Sequence, residues 1–125
     1  MTQHVLFVCK TCAFSKDDRH YLEQPGGAHL LNQLSAAYED WPLHAEFVLQ
    51  AVECLSACNR SCAIVLAAPH KTTLMFGDLP PLESAAAILE LSEQYFASTD
   101  GVVPWKERPE ILKKGILARI PPLPG

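Results

Sequence analysis

"HAEFVLQAVECLSACNRSCAIVLAA", residues 44–68, sets two apolar runs on either side of a cysteine loop. In the first run, His44 to Val52, the residues Ala45, Phe47, Leu49 and Ala51 alternate onto one face, which predicts a strand. The second, Ala63 to Ala68, is short, continuous and apolar, and predicts another strand. Between them Cys54, Cys58 and Cys62 stand four residues apart. A strand that runs into a cysteine loop and out into a second strand is the centre of the fold; the rest of the chain is read outward from it.

Downstream, Pro69-His70-Lys71 reads as a short turn and Thr72 to Phe76 as a further strand, antiparallel in a hairpin. Asp78 to Pro81 reads as a helix start, with Pro near the first turn. Ala85, Ile88, Leu89, Ser92, Tyr95 and Phe96 then share one helical face, and Asp100-Gly101 ends it. Upstream, Leu30, Leu31, Leu34, Ala37, Tyr38 and Trp41 recur with helical spacing over Ala28 to Trp41, and Pro42 stops that helix. Lys10 to Gly27 has neither period and reads as a loop, while His4 to Val8 is a short buried strand. The order is β-α-β-β-β-α, an α/β chain with a mixed sheet in the thioredoxin-like pattern, its first two strands parallel. Residues 1–103 form this domain. Residues 104–125 follow as a proline-rich basic tail, expected to pack on the domain or on a partner subunit.

At 125 residues the chain is one domain by length, with an ordinary apolar fraction of 49% and charged fraction of 19%. Its net charge of −4 hides an asymmetry. Residues 1–103 carry five Lys/Arg against twelve Asp/Glu, whereas the tail carries Lys106, Arg108, Lys113, Lys114 and Arg119 against Glu107 and Glu110. An acidic body argues against nucleic-acid binding, which needs a basic surface for phosphate. No stretch approaches the ~20 apolar residues of a membrane span, and "MTQHVLFVC" lacks the basic leader of a signal peptide. A cytoplasmic protein with reduced thiols is expected, and cysteines spaced like these are then metal-binding or catalytic more often than bridged.

Cys9 and Cys12 fall just past the first strand; Cys54 and Cys58 fall just past the second, its parallel neighbour. Ligands collect at the carboxyl ends of parallel strands because the loops converge there, so this topology brings four thiols to one end of the sheet. Three chemistries use such a set: an iron–sulfur cluster, a four-sulfur zinc site, and dithiol redox chemistry at Cys9-Lys10-Thr11-Cys12. The third is weakened by the loop between the cysteine pair and the helix, since a thioredoxin-type pair leads directly into a helix N-terminus. It is weakened again by the lack of a proline in Asn59-Arg60-Ser61-Cys62, ahead of the third strand. Zinc knuckles usually place Gly after a C-x-x-C turn, and this chain has Ala13 and Ala63 after its cysteines.

"ECLSACNRSCAIVL", residues 53–66, resembles the second ligand loop of thioredoxin-like [2Fe–2S] ferredoxins and of the related subunit of respiratory NADH dehydrogenase, with Ser56 in place of a glycine. "HVLFVC", residues 4–9, is similar to their first strand and first ligand. The chain as a whole also resembles an uncharacterised family of predicted metal-binding proteins. Its marks are the early C-x-x-C, CLSAC-x-x-x-C, "FGDL" at residues 76–79, and the tail "VPWKERPEILKKGILARIPPLP" at residues 103–124. Carried over residue by residue, Cys9, Cys54 and Cys58 match the ferredoxin pattern. Cys12 follows Cys9 more closely than that pattern has it, and Cys62 stands where proline is usual.

The resemblance implies a small [2Fe–2S] protein for one-electron transfer or redox sensing, not an enzyme, with a cluster on Cys9, Cys12, Cys54 and Cys58. Cys62 is the alternative fourth ligand, an exchangeable thiol, or a small buried hydrophobe at the start of a strand. Four thiolates and an acidic body imply a low potential, nearer about −400 mV than the Rieske range. A homodimer is implied by the same likeness, and the acidic body suits a basic redox partner. The rivals are a protein that binds or delivers zinc, cobalt or another thiophilic metal, and a thiol-disulfide oxidoreductase. Arg60 is placed to donate toward cluster sulfur, and Trp105 is the candidate anchor of the tail.

Overall fold

The computed structural model describes residues 4–10, 20–53 and 62–122, with His20 described by its backbone alone. Strand β1 is His4–Cys9, a small hairpin pairs β2 (His20–Tyr21) with β3 (Gln24–Pro25), and helix α1 is Gly26–Tyr38. Strands β4 (Phe47–Val52), β5 (Ile64–Ala67) and β6 (Thr73–Phe76) follow, then helix α2 (Ala85–Ala97) and strand β7 (Ile116–Ile120). The main sheet runs β4-β1-β5-β6-β7. Only β1 and β4 are parallel, in the register His4 opposite Phe47 through Cys9 opposite Val52; the other pairs are antiparallel. This is the expected β-α-β-β-β-α thioredoxin-like fold with a mixed sheet.

Period-two alternation sorts the strands. His4, Leu6 and Val8 of β1, Ile64 and Leu66 of β5, and Leu74 and Phe76 of β6 are buried on one face. Leu30 and Leu34 of α1 and Ile88, Leu91 and Tyr95 of α2 meet them there. Each fully buried Leu, Ile or Phe contributes ~1.5–3 kcal/mol relative to an exposed one, so this layer holds the sheet to the helices. The helices pack against each other. Trp41, just past α1, is buried and its Nε1–H donates to Glu93 Oε2 of α2 at 2.9 Å.

The boundaries shift from those the sequence suggests, for identifiable reasons. Helix α1 starts at Gly26 rather than Ala28, because both glycines belong to its first, buried turn and not to a preceding loop. The second strand of the domain begins at Phe47 and not His44: the backbone turns over 42–46, and the Tyr38 hydroxyl lies 2.6 Å from the carbonyl oxygens of both His44 and Phe47. Helix α2 starts at Ala85 rather than near Asp78; the Ser84 hydroxyl donates to the Pro80 carbonyl in the turn before it. It ends at Ala97, where Ser98 N–H bonds back to the carbonyls of Gln94 and Tyr95, three residues before Gly101. Residues beyond 104 add a strand that the sequence reading did not anticipate. Two short 3-10 turns, Trp105–Glu107 and Glu110–Leu112, lead to β7, which extends the sheet beside β6, and Leu112 is fully buried.

Candidate metal centre

The register puts Cys9 at the end of β1 beside Val52 of β4, and the chain is pinned there from three sides. Lys10 N–H donates to the Val52 carbonyl at 3.0 Å, and Cys9 N–H donates to the Ala63 carbonyl, just ahead of β5, at 3.3 Å. The Cys9 thiol is directed at the Glu53 carbonyl oxygen, 3.9 Å from Sγ. Glu53 and Cys62 flank residues 54–61, the stretch that carries Cys54 and Cys58. Both ends of that stretch are therefore tied to Cys9, through Glu53 at one end and Ala63 at the other.

The third contact comes from helix α1. A Cβ built on Gly27 would lie 2.0 Å from the Cys9 carbonyl oxygen and 2.6 Å from the Lys10 carbonyl carbon, so only glycine lets the first turn of α1 sit on this peptide. The loop between Cys9 and α1 thus returns the chain to its starting point. That removes the first sequence argument against thiol chemistry at this end of the sheet, because a helix N-terminus does lie beside the first cysteine. The first turn of α1 holds no acidic residue, so its positive end favours negative charge nearby, such as a thiolate.

Cys62 lies at the same end, one residue before the carbonyl that holds Cys9. It is fully buried, and its N–H and C=O exchange hydrogen bonds with Leu79 at 3.2 Å each. Cys9 is buried as well. The structure therefore brings Cys9 and Cys62 to one end of the sheet, while Cys12, Cys54, Cys58 and Arg60 lie outside the described residues. Among the described residues no three His, Cys, Asp or Glu side chains gather as a metal site. The donor chemistry present, two buried thiols at one end of the sheet with a helix N-terminus beside the first of them, fits a thiophilic, anionic group such as an iron–sulfur centre. Lys10 and Glu53 form an exposed ion pair at 3.0 Å across the mouth of this region.

A second polar cluster, which sequence reasoning missed, closes the opposite end of the sheet. Lys71 Nζ donates to the carbonyls of Tyr95 and Phe96 at 2.8 and 3.0 Å, and so caps the last turn of α2. It also lies 3.0 Å from His4 Nε2. His4 is 3% exposed, ringed by Phe47, Tyr95 and Phe96, and its Nδ1 is buried without a hydrogen-bond partner. Burial, and then the Lys71 ammonium, hold His4 below the usual histidine value, against a smaller pull from Glu46. Burial likewise lowers Lys71, opposed by Asp100. Tyr95 is pushed up to about 12 by burial, its hydroxyl donating to the Thr72 carbonyl at 2.7 Å. A cavity of about 310 Å³ lined by Gln94, Ser98, Val102 and Glu107 lies near the end of α2, away from the cysteines. No helix among the described residues is long and apolar enough to cross a membrane.

Residues 6–122 match the family described as "Protein of unknown function (DUF1636)", and the chain belongs to that family. The description names no metal and lends no support of its own to the metal-binding family that the sequence motifs resemble. No curated protein matches the sequence. Among solved structures the chain is similar to a thioredoxin-like [2Fe-2S] ferredoxin from Aquifex aeolicus, at a TM-score of 0.56 and 14% identity over 94% of this chain and 92% of that one. The wild-type form of that ferredoxin in a second crystal structure gives a TM-score of 0.53 and 16% identity over 78% and 89%. A cysteine-to-serine variant gives 0.54 and 17% over 78% and 90%. At such identities the likeness shows the fold.

Proposed function

We propose that this protein is a small iron–sulfur protein of the ferredoxin kind, an electron carrier or redox sensor rather than an enzyme, with a [2Fe–2S] cluster on Cys9, Cys12, Cys54 and Cys58. One observation carries the reading: Cys9 is bonded through its backbone to Ala63 and directed through its thiol at Glu53, so the first cysteine stands between the two roots of the second cysteine stretch. The fold it shares with a protein that is itself a [2Fe-2S] ferredoxin supports the same reading. Cys62, buried at this end, is the alternative fourth ligand.

Such a cluster supplies reversible one-electron chemistry. The chain's own contributions are structural and electrostatic. Gly27 sets the α1 N-terminus against the Cys9–Lys10 peptide, and the positive end of the helix offsets thiolate charge that the acidic body opposes. Burial of Cys9 keeps bulk water from its sulfur and lowers the local dielectric. We extend the reading to a reducing cytoplasmic setting, a protein redox partner and a homodimer, the last checked by light scattering of the purified protein.

The test is anaerobic purification. The reading expects red-brown protein with iron and sulfide in equal amounts, visible absorption, and bleaching with dithionite. Colourless protein with one equivalent of zinc overturns it in favour of a metal-binding or delivery role. Cys12→Ser and Cys62→Ser then separate the ligands: loss of cluster in Cys62→Ser alone makes Cys62 the fourth ligand. A second reading, thiol-disulfide exchange at Cys9 and Cys12, is favoured by the helix N-terminus beside Cys9. Disulfide reduction by colourless protein, abolished in Cys12→Ser, would establish it.

A further inference from the structure

The same end of the sheet that holds Cys9 and Cys62 also holds the start of β7. Ile64 pairs with Phe76 and Phe76 with Ile116, so Cys9, the residues before β5, Gly77 and Gly115 line one edge. Gly77 N–H donates to the Gly115 carbonyl at 2.8 Å across that edge. From β1 to β7 is three strand spacings, roughly 14 Å. The residues that lead into β7 are Lys113 and Lys114, and the ammonium of Lys113 lies 5.1 Å from the centre of the Trp105 ring. Trp105 is 56% exposed, in contrast to buried Trp41.

The folded tail does not neutralise its own charge. Residues 104–122 hold five cations against Glu107 and Glu110, and Glu110 pairs with Lys113 at 3.2 Å. Lys106, Lys114 and Arg119 are exposed and enter none of the described ion pairs. Arg108 lies over the Phe76 ring, and Arg119 is near enough to add to the lowering of Arg108 that burial causes. Asp78 lies beside Gly115 at this corner. Among the described ion pairs the body takes up none of these cations; the tail folds onto the sheet with Lys113 beside an exposed tryptophan and Lys106, Lys114 and Arg119 exposed along it. An exposed tryptophan with a lysine over its ring, in a segment rich in Lys and Arg, has the composition of a protein-docking hot spot.

We infer that the surface of Trp105, Lys106, Lys113, Lys114 and Arg119 docks an acidic protein partner, and so seats that partner beside the cysteine end of the sheet. This reverses the charge sense suggested by the acidic body: the docking surface is cationic. A nucleic acid is disfavoured because the body of −7 would repel a long polyanion running past the patch. A second copy, whose body is equally acidic, is the alternative occupant that the test separates. What the partner exchanges rests on the proposed iron–sulfur function; the docking itself does not.

The test uses the full chain and fluorescently labelled poly-L-glutamate, followed by anisotropy at low and at physiological salt. Binding should weaken steeply with salt. It should fall about tenfold or more in Lys114→Glu/Arg119→Glu and also in Trp105→Ala, whose lost ring removes no charge. All variants should keep the wild-type melting temperature and colour. The proposal is overturned by absence of binding at low salt, by binding that either variant leaves unchanged, or by tighter binding of a charge-matched oligonucleotide. Self-association that the charge reversal abolishes also overturns it, by making a second copy the occupant. Colourless protein that binds poly-L-glutamate as described sinks the cluster reading and leaves the docking surface standing; coloured protein that does not bind does the reverse.

Discussion

The two ends of the sheet are sealed by different parts of the chain. At the cysteine end the seals are backbone to backbone: Cys9 to Ala63, Lys10 to Val52, Cys62 to Leu79, Gly77 to Gly115, and the bare Cα of Gly27 against the Cys9 carbonyl. At the other end main-chain bonds, His4 N–H to Glu46 and Thr72 N–H to Asp100, are joined by buried side chains: Lys71 on the last carbonyls of α2, His4 against Lys71, and Tyr95 on Thr72. An end closed by side chains has spent its polar groups on closure. The difference argues that His4 and Lys71, although buried and perturbed, act in closing the sheet.

The comparison breaks most directly at Gly27. Gly27→Ala drives a methyl into backbone on both sides, with no flexible side chain to yield, and should lose about 3 kcal/mol or more in urea unfolding. Tolerance of alanine there would mean that α1 is not seated on Cys9. Next is Lys71→Met, which keeps the stem and removes the donors from the Tyr95 and Phe96 carbonyls; about 1–3 kcal/mol should go, read as a lower thermal midpoint with cluster content unchanged. Cluster loss in that variant would deny that the two ends are separate.

A pH series is the third and gentler probe. The folded-state pKa of His4 lies below its unfolded value near 6.5, so the unfolded chain takes up the proton first. Stability is then full above about pH 6.5 and declines as pH falls below it. Urea midpoints should drop from pH 8 to 5 more steeply than in His4→Gln; equal slopes would remove His4 from the account. The smallest effect is expected at Lys10→Ala. Its ion pair with Glu53 is exposed, so stability should change by less than ~0.5 kcal/mol. A larger loss would show that the cysteine end relies on side chains after all.

The sequence showed the strands well because alternation is a local signal: Phe47, Leu49 and Ala51 share a face whatever lies around them. It placed the first and second cysteine groups at neighbouring strand ends, and the structure brings Cys9 to Glu53 and Ala63 accordingly. Strand β7 went unread although Ile116, Ala118 and Ile120 alternate, because five cations and the surrounding prolines made the segment look like a tail. The approach of Gly27 to Cys9 was illegible for a different reason. It joins residues across a loop without periodicity, and two glycines before a helix look the same whether they turn freely or are pressed against another backbone. Lys71 was hidden by residue type, since a lysine in a hairpin turn is ordinarily solvated, and only the position of α2 turns it into a cap.

The two tryptophans, one sealed against Glu93 and the other open beside Lys113, equip the protein with its own pair of optical gauges. Emission from Trp41 should stay blue and resist acrylamide until the helices separate, whereas emission from Trp105 should be red and easily quenched from the start. A single titration can therefore distinguish unfolding from events at the outer rim without any added dye, and a change confined to the red component marks the rim alone.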